Sequence, residues 1–457
     1  MRLLPLVLLA LFCSACQTTT GLHSAVPEPP AAYSFYQSVD AIPTADRWWL
    51  DFGDDELNRL QTRLFADNLS LQQAFYRLEQ LEASSRLSAS ALWPTVNASA
   101  GVRREQTVGG GGETQSRSGR LAVATAYEVD VWQRLRHRAT AADLRLQAGE
   151  DDIRTLMLTL SARLAELYFI ATEQRAQLAL VDRRLDHHRQ LVGQIEERYR
   201  AGLTAATELY QARQNLAQME ASIPQYQTTL AQTENAISLL LGQPPGTIRV
   251  ARRTLPQITE VISIGLPADI IAKRPDITAA LRELEATDYE LAAAVADRLP
   301  RLDLTANLGR SLTRLSSGDV TGSFWSLALG LAQPLVDGGR LAAAADQQQA
   351  IRNERLIGVH LKILTAIEEV ESALTAEINS ARREQFLLQQ QQLNQSNLQL
   401  RRENYLQGLS DSLELLRSEM DQLAIQSQQL ANQRQWLSHR ISLVRALGGH
   451  WMAEELA

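Results

Sequence analysis

The chain has 457 residues, a formal net charge of −7 and only 5% aromatic residues, with a pI of about 5.7. That length holds two or three ordinary domains. No basic stripe able to neutralise phosphates runs through it, which argues against a nucleic-acid partner. Scarce aromatics beside abundant Ala, Leu, Gln, Arg and Glu favour long helices over a compact aromatic core.

In chain order the first predicted element is a signal peptide over 1–15. Arg2 precedes an apolar run from Leu3 to Phe12, too short to span a bilayer. Ser14 and Ala15 just before Cys16 resemble a bacterial lipobox, in which the cysteine becomes the N-terminus and carries lipid, although Cys13 stands where such boxes usually place Leu. Cys16 is the expected lipid anchor, and no other cofactor is expected; the alternative is an ordinary secretory peptide. Gln17 occupies the position where an inner-membrane retention signal has Asp, which favours the outer membrane. Residues 16–45 then form the anchor and a tether, extended through the Pro-rich stretch Val26 to Ala32. Nothing later offers about 18 uninterrupted apolar residues, so no transmembrane helix is expected.

The mature chain matches itself at a constant offset of 206 residues: Pro94 falls on Pro300, Arg134-Leu135 on Arg340-Leu341, Tyr199 on Tyr405 and Gly202-Leu203 on Gly408-Leu409. Two tandem repeats follow, 46–250 and 251–457. In the first, helix is expected over about 55–91, strand over about 93–130, and helix over 134–200 and 204–241. In the second, the corresponding expectations are helix over about 268–297, strand over about 299–336, and helix over 340–406 and 410–447. The strands rest on period-two alternation, with Val96, Ala98, Ala100 and Val102 in one copy and Leu302, Leu304, Ala306 and Leu308 in the other. Each strand pair reads as a hairpin with a polar, Gly-rich loop, Arg103 to Gly119 and Gly309 to Ser323. Trp93, Trp132, Phe324 and Trp325 sit at the expected strand ends, where interfacial girdles form, with core packing as the alternative. The helices rest on apolar seams such as Leu409, Leu416, Leu423, Leu430 and Leu437. At 1.5 Å per residue the longer ones span roughly 100 Å. Pro224 is expected to kink the helix that carries it.

Four strands cannot close a barrel, since the smallest transmembrane barrels use eight. Two chains would give an eight-stranded barrel whose interior fills with side chains. Three chains give twelve strands and an open lumen, so the expected assembly is a homotrimer in outer-membrane lipid.

Several segments resemble the TolC/OprM-type outer-membrane efflux proteins of the NodT-type lipoprotein branch. These are Gly265 to Ile271 with Arg274-Pro275-Asp276-Ile277, Trp48-Trp49 before Asp55-Glu56-Leu57, Gln333-Pro334-Leu335 with Gly338-Gly339-Arg340, and Arg445-Ala446-Leu447-Gly448-Gly449 with Trp451. The resemblance implies a mainly α fold with a β-barrel portion, in which a trimer forms a 12-stranded barrel and an α-helical tunnel in the periplasm. It also implies a passive, gated exit duct for drugs or small amphiphiles, partnered by a periplasmic adaptor and an inner-membrane pump of the resistance-nodulation-division class. In such proteins the helix tips, here Gly202, Leu203, Gly408 and Leu409, meet the adaptor, and acids just beyond line a closed entrance. Glu208 and Glu414 match that pattern, Asp411 lies nearby, and Arg417 stands where relatives often carry an acid. We expect Arg417 to pair with these acids and hold the entrance shut; the alternative is a solvated helix face. Two other functions remain open: a channel of type I protein secretion, and a periplasmic adaptor. Scattered histidines, with His187 and His188 adjacent, give no metal or catalytic constellation, so no enzyme is expected.

Overall fold

The computed structural model describes residues 47–109, 112–258, 274–315 and 318–448. The signal peptide, Cys16 and the tether lie outside them. So do the hairpin tips at 110–111 and 316–317, the linker signature at 265–271 and the first residues expected in the helix from 268.

A 3-10 turn, Trp48–Phe52, leads into α1 (Asp55–Asp67), α2 (Leu69–Ser90), β1 (Thr95–Gly109), β2 (Gly112–Glu128), α3 (Arg134–Arg200) and α4 (Ala206–Leu240). After the linker come α5 (Pro275–Ala296), β3 (Arg301–Leu315), β4 (Gly318–Ala332), α6 (Arg340–Leu406) and α7 (Ser412–Ala446). From α2 onward every boundary of the first series recurs in the second at the offset of 206, as α3 against α6 illustrates, except that β4 ends two residues short of the match to β2. The positions that would match α1 fall among the residues not described.

Three expectations need correction. The single helix over 55–91 is two helices, because Asn68 interrupts it: its carboxamide oxygen accepts from the Leu71 N–H at 2.8 Å, capping α2, while its amide donates to the Leu240 carbonyl at 2.7 Å. The expected loops Arg103–Gly119 and Gly309–Ser323 are mostly strand, since β1 pairs with β2 as far as Gly109↔Gly112 and β3 with β4 as far as Leu315↔Gly318. Backbone pairing continues through polar and glycine residues whose side chains show no apolar alternation. Trp325 and Phe324 therefore sit at mid-strand in β4 rather than at its end. The proline expected to bend its helix, Pro224, lies inside α4, whose helical run continues past it to Leu240.

The chain divides into two compact units that cut across the repeats. The first, built from Arg77–Glu150 and Ala279–Leu361, holds a four-stranded antiparallel meander in the order β1-β2-β3-β4. Cross-strand partners share a face. One face carries Val96, Val123, Leu121, Leu304, Leu308, Trp325, Leu327 and Leu329; the other carries Asn97, Ser99, Ala124, Thr305, Asn307 and Ser326. On the polar face Phe324 covers Gly309, where a Cβ would come within 2.6 Å of its ring, and the Arg120 guanidinium stacks 4.5 Å above that ring. Beside the sheet, Ala141 and Leu144 of α3 pack on Ala286 of α5.

The second unit comprises the described parts of Glu28–Tyr76, Asp151–Thr278 and Lys362–Ala457. Its core is a set of helix seams, with Leu191, Val192 and Ile195 of α3 against Leu209 and Ala212 of α4 and Leu416 of α7. Near its N-terminal residues, Trp48, Phe52 and Phe169 make edge-to-face contacts. There the Tyr168 hydroxyl donates to Asp54 at 2.8 Å, and Arg252 closes on the same carboxylate at 2.8 Å. Among the described residues no helix is long and apolar enough to cross a membrane.

Candidate functional site

Two places carry candidate function: the helix tips of the second unit and the faces and edges of the sheet in the first.

Each long helix ends in the same way. Gly202 and Gly408 adopt left-handed backbone, φ +73° and +71°. Beyond the first, the Leu203 N–H reaches back to Arg198 O at 2.9 Å and the Gly202 N–H to Tyr199 O at 2.9 Å. Beyond the second, the Leu409 N–H reaches Asn404 O at 2.8 Å and the Gly408 N–H reaches Tyr405 O at 3.1 Å. This Schellman geometry satisfies the last carbonyls and turns the chain within a few residues. It leaves Leu203 and Leu409 69% and 73% exposed, apolar side chains held on stiff turns with no cover in the single chain.

The expected charge cluster forms, with different partners. Glu208 accepts from the Ser412 hydroxyl, joining the two hairpins. Burial by itself would raise its pKa, but hydrogen bonds from Ser412 and Thr204 and from the backbone at Ser412 and Ala205 outweigh that and hold the carboxyl below its ordinary range. Glu414 pairs with Arg401. Asp411 caps α7 by accepting from the Glu414 N–H at 3.1 Å. Arg417 is exposed and makes no ion pair with these acids within the chain. Within the single chain the three acids have other partners, namely Arg401, the Ser412 hydroxyl and a helix cap, and the expected Arg417 pairing does not form there.

Sequence reasoning also missed the residues that lock α3 to its neighbours around this site. Glu419 of α7 meets His187 at 3.0 Å and His188 at 3.5 Å. Burial pushes the His188 pKa down, against the pull of Glu419 and with the push of His187 and Arg184. Farther along, Glu173 holds Arg434 at 3.0 Å, and Arg198 donates to the Tyr405 hydroxyl at 3.1 Å while its guanidinium lies 5.6 Å from the ring. These partners are hundreds of residues apart, so no local spacing reveals them.

In the sheet, β1 and β4 pair on one side only, leaving two 15-residue edges open in the single chain. Such edges are templates for further strands. The direction is compatible with closure, because in an alternating meander β4 of one chain meets β1 of the next antiparallel.

With this geometry in hand, the model of a family described as "Outer membrane efflux protein" matches residues 60–243 and again 266–449. The chain belongs to the outer membrane efflux protein family. The double match falls on the two repeats. Pyoverdine export outer membrane protein OpmQ of Pseudomonas putida is 28% identical over 466 residues, covering 99% of this chain and 98% of that protein. Nodulation protein T of Rhizobium leguminosarum bv. trifolii is 26% identical, covering 89% and 88%. The solved outer-membrane channel OprN superposes with a TM-score of 0.87 at 27% identity, covering 95% of this chain and all of that one. The efflux protein thus has a TolC-like fold, resides in the outer membrane and is a channel component of efflux. That sets aside the periplasmic-adaptor alternative.

Proposed function

We propose that three copies of this efflux protein close a twelve-stranded barrel and act as the passive exit duct of a tripartite system. A periplasmic adaptor and an inner-membrane pump of the resistance-nodulation-division class would supply selection and energy. The observation that carries the reading is a sheet with one apolar face, one polar face and two open edges, which needs partner strands to leave no edge in lipid. Cargo would be drugs, export metabolites or other small amphiphiles, in keeping with relatives described as exporting pyoverdine or forming a probable efflux pump. Lipid on Cys16 would fasten the N-terminus to the membrane, and no step of transport calls for catalysis.

At the tips, Leu203 and Leu409 on their rigid turns suit an apolar adaptor contact. Arg417, exposed three residues beyond Glu414, would pair with acids of a neighbouring copy at the closed entrance. Planar-bilayer conductance of the Arg417→Ser trimer is expected to rise; an unchanged current rejects the gate. For the whole reading, deletion should increase susceptibility to amphiphilic drugs and leave the secreted proteome unaltered, with an adaptor and pump co-purifying. Loss of a secreted polypeptide with unchanged susceptibility would favour type I secretion instead.

A further inference from the structure

The apolar face of the sheet does not end evenly. Along β3 it runs from Leu302 to Leu312, ten residue steps; at about 3.3 Å per step and a tilt near 40° this covers about 25 Å of membrane. The next row toward the hairpin end is Arg104↔Arg117↔Arg314↔Asp319, four partners abreast on that same face. Three arginines on adjacent strands lie within about 10 Å of one another. Arg314 meets Asp319 at 2.8 Å, and Arg104 also has a partner, so Arg117 is the cation of the row with most of its charge to spare. Arg310, two residues before Leu312 and exposed, adds a cation inside the apolar band. Its long stem allows the guanidinium to reach toward the same row. In a chain whose net charge is −7 this is a local excess of positive charge on a face otherwise fit for hydrocarbon.

Directly under the row the surface is indented. Gly119 lies between Val102 and Leu312, and nothing stands within 4 Å of where its Cβ would be. The depression there measures about 330 Å³ and is bordered by Val102, Leu121, Leu312 and Arg310. An apolar hollow beneath a bank of guanidinium groups has the layout of a lipid site: an acyl chain in the hollow, phosphates on the arginines, which bind such oxygens in bidentate fashion.

We propose that Arg104, Arg117, Arg310 and Arg314 with the Gly119 hollow bind the phosphorylated glycolipid of the outer leaflet, a lipid whose headgroup carries more than one phosphate. This rests on the barrel reading above: with the helical tunnel in the periplasm, the hairpin ends face outward. Such a lipid fits better than a single-phosphate phospholipid because the cations are spread over three strands.

Wild-type trimer and an Arg104→Gln/Arg117→Gln/Arg310→Gln variant would be placed in phosphatidylcholine nanodiscs doped with bisphosphorylated lipid A, dephosphorylated lipid A or phosphatidylglycerol. Retained lipid is then counted by native mass spectrometry. The wild type should hold bisphosphorylated lipid A in preference to both others, and the variant should lose that retention by about tenfold. Equal retention by the variant, or equal retention of the other lipids, overturns the proposal. Gly119→Leu, which fills the hollow without touching a charge, should also lower retention and carries the test if the glutamine variant fails to assemble. Conductance of the same samples separates the two readings. Wild-type channels that conduct while showing no lipid preference reject the site alone; wild-type protein that never inserts rejects the barrel and the site together.

Discussion

Glu234 of α4 and Arg440 of α7 occupy the same position of the repeat, 206 residues apart, and bear opposite charges. In the first hairpin Arg175 of the long helix meets Glu234 at 2.7 Å; in the second Glu377 of the long helix meets Arg440 at 2.7 Å. The polarity is reversed while the helices around it keep identical boundaries. On the long helices the partners stand four residues apart in the repeat, since Arg175 corresponds to Ala381, so what the repeat preserves is a complementary pair within one turn of the same level rather than a residue. A hairpin helix docked on the wrong partner would set like charges together, so the reversal also discriminates between copies.

The largest effect should come from breaking the more deeply buried pair. Glu377 is 0% exposed, and Glu377→Ala removes the carboxylate that Arg440 meets in this buried pair. We expect a loss of about 3–5 kcal/mol, read from the denaturation midpoint of the detergent-solubilised protein. Installing the polarity of the first hairpin in the second, Glu377→Arg with Arg440→Glu, should recover about 1–3 kcal/mol relative to the summed single changes. A cycle that closes additively would mean that the pair is not a unit. Gly202→Ala and Gly408→Ala test the feature the copies share. Each should cost about 1–2 kcal/mol through left-handed strain and raise hydrogen exchange at its own tip by the corresponding factor, about 5- to 30-fold. The smallest effect is electrostatic. Glu208 titrates below its ordinary range, so its contact with Ser412 is in place above about pH 4.3 and is lost as pH falls through the lower folded value. Ser412→Ala should move that titration upward, as followed by the infrared carboxylate band of labelled glutamate.

Long-range order was legible in the chain where a period imposed it. The seam through Leu409, Leu416 and Leu423 announces α7, and the alternation from Leu302 to Leu308 announces β3, because one apolar stripe or face repeats along each. Neither period says where a strand stops once its side chains turn polar on both faces, and so the upper parts of β1 to β4 read as loop. Asn68 was equally silent, since a cap inside a continuous apolar pattern acts through one side-chain oxygen. At the tips, Glu208 and Glu414 could be singled out from their spacing after the glycines. Their partners could not: Arg401 lies thirteen residues before Glu414 across the turn, and Ser412 belongs to the other repeat.

The central claim is that the open edges of the four-stranded sheet are closed by two further copies to make a conducting barrel. Purified protein reconstituted into planar bilayers, with its oligomeric mass measured in the same detergent, tests this directly. The account predicts a heat-modifiable trimer that gives discrete channel currents. A stable monomer or dimer, or a trimer that inserts without conducting under any condition that opens its entrance, would contradict it.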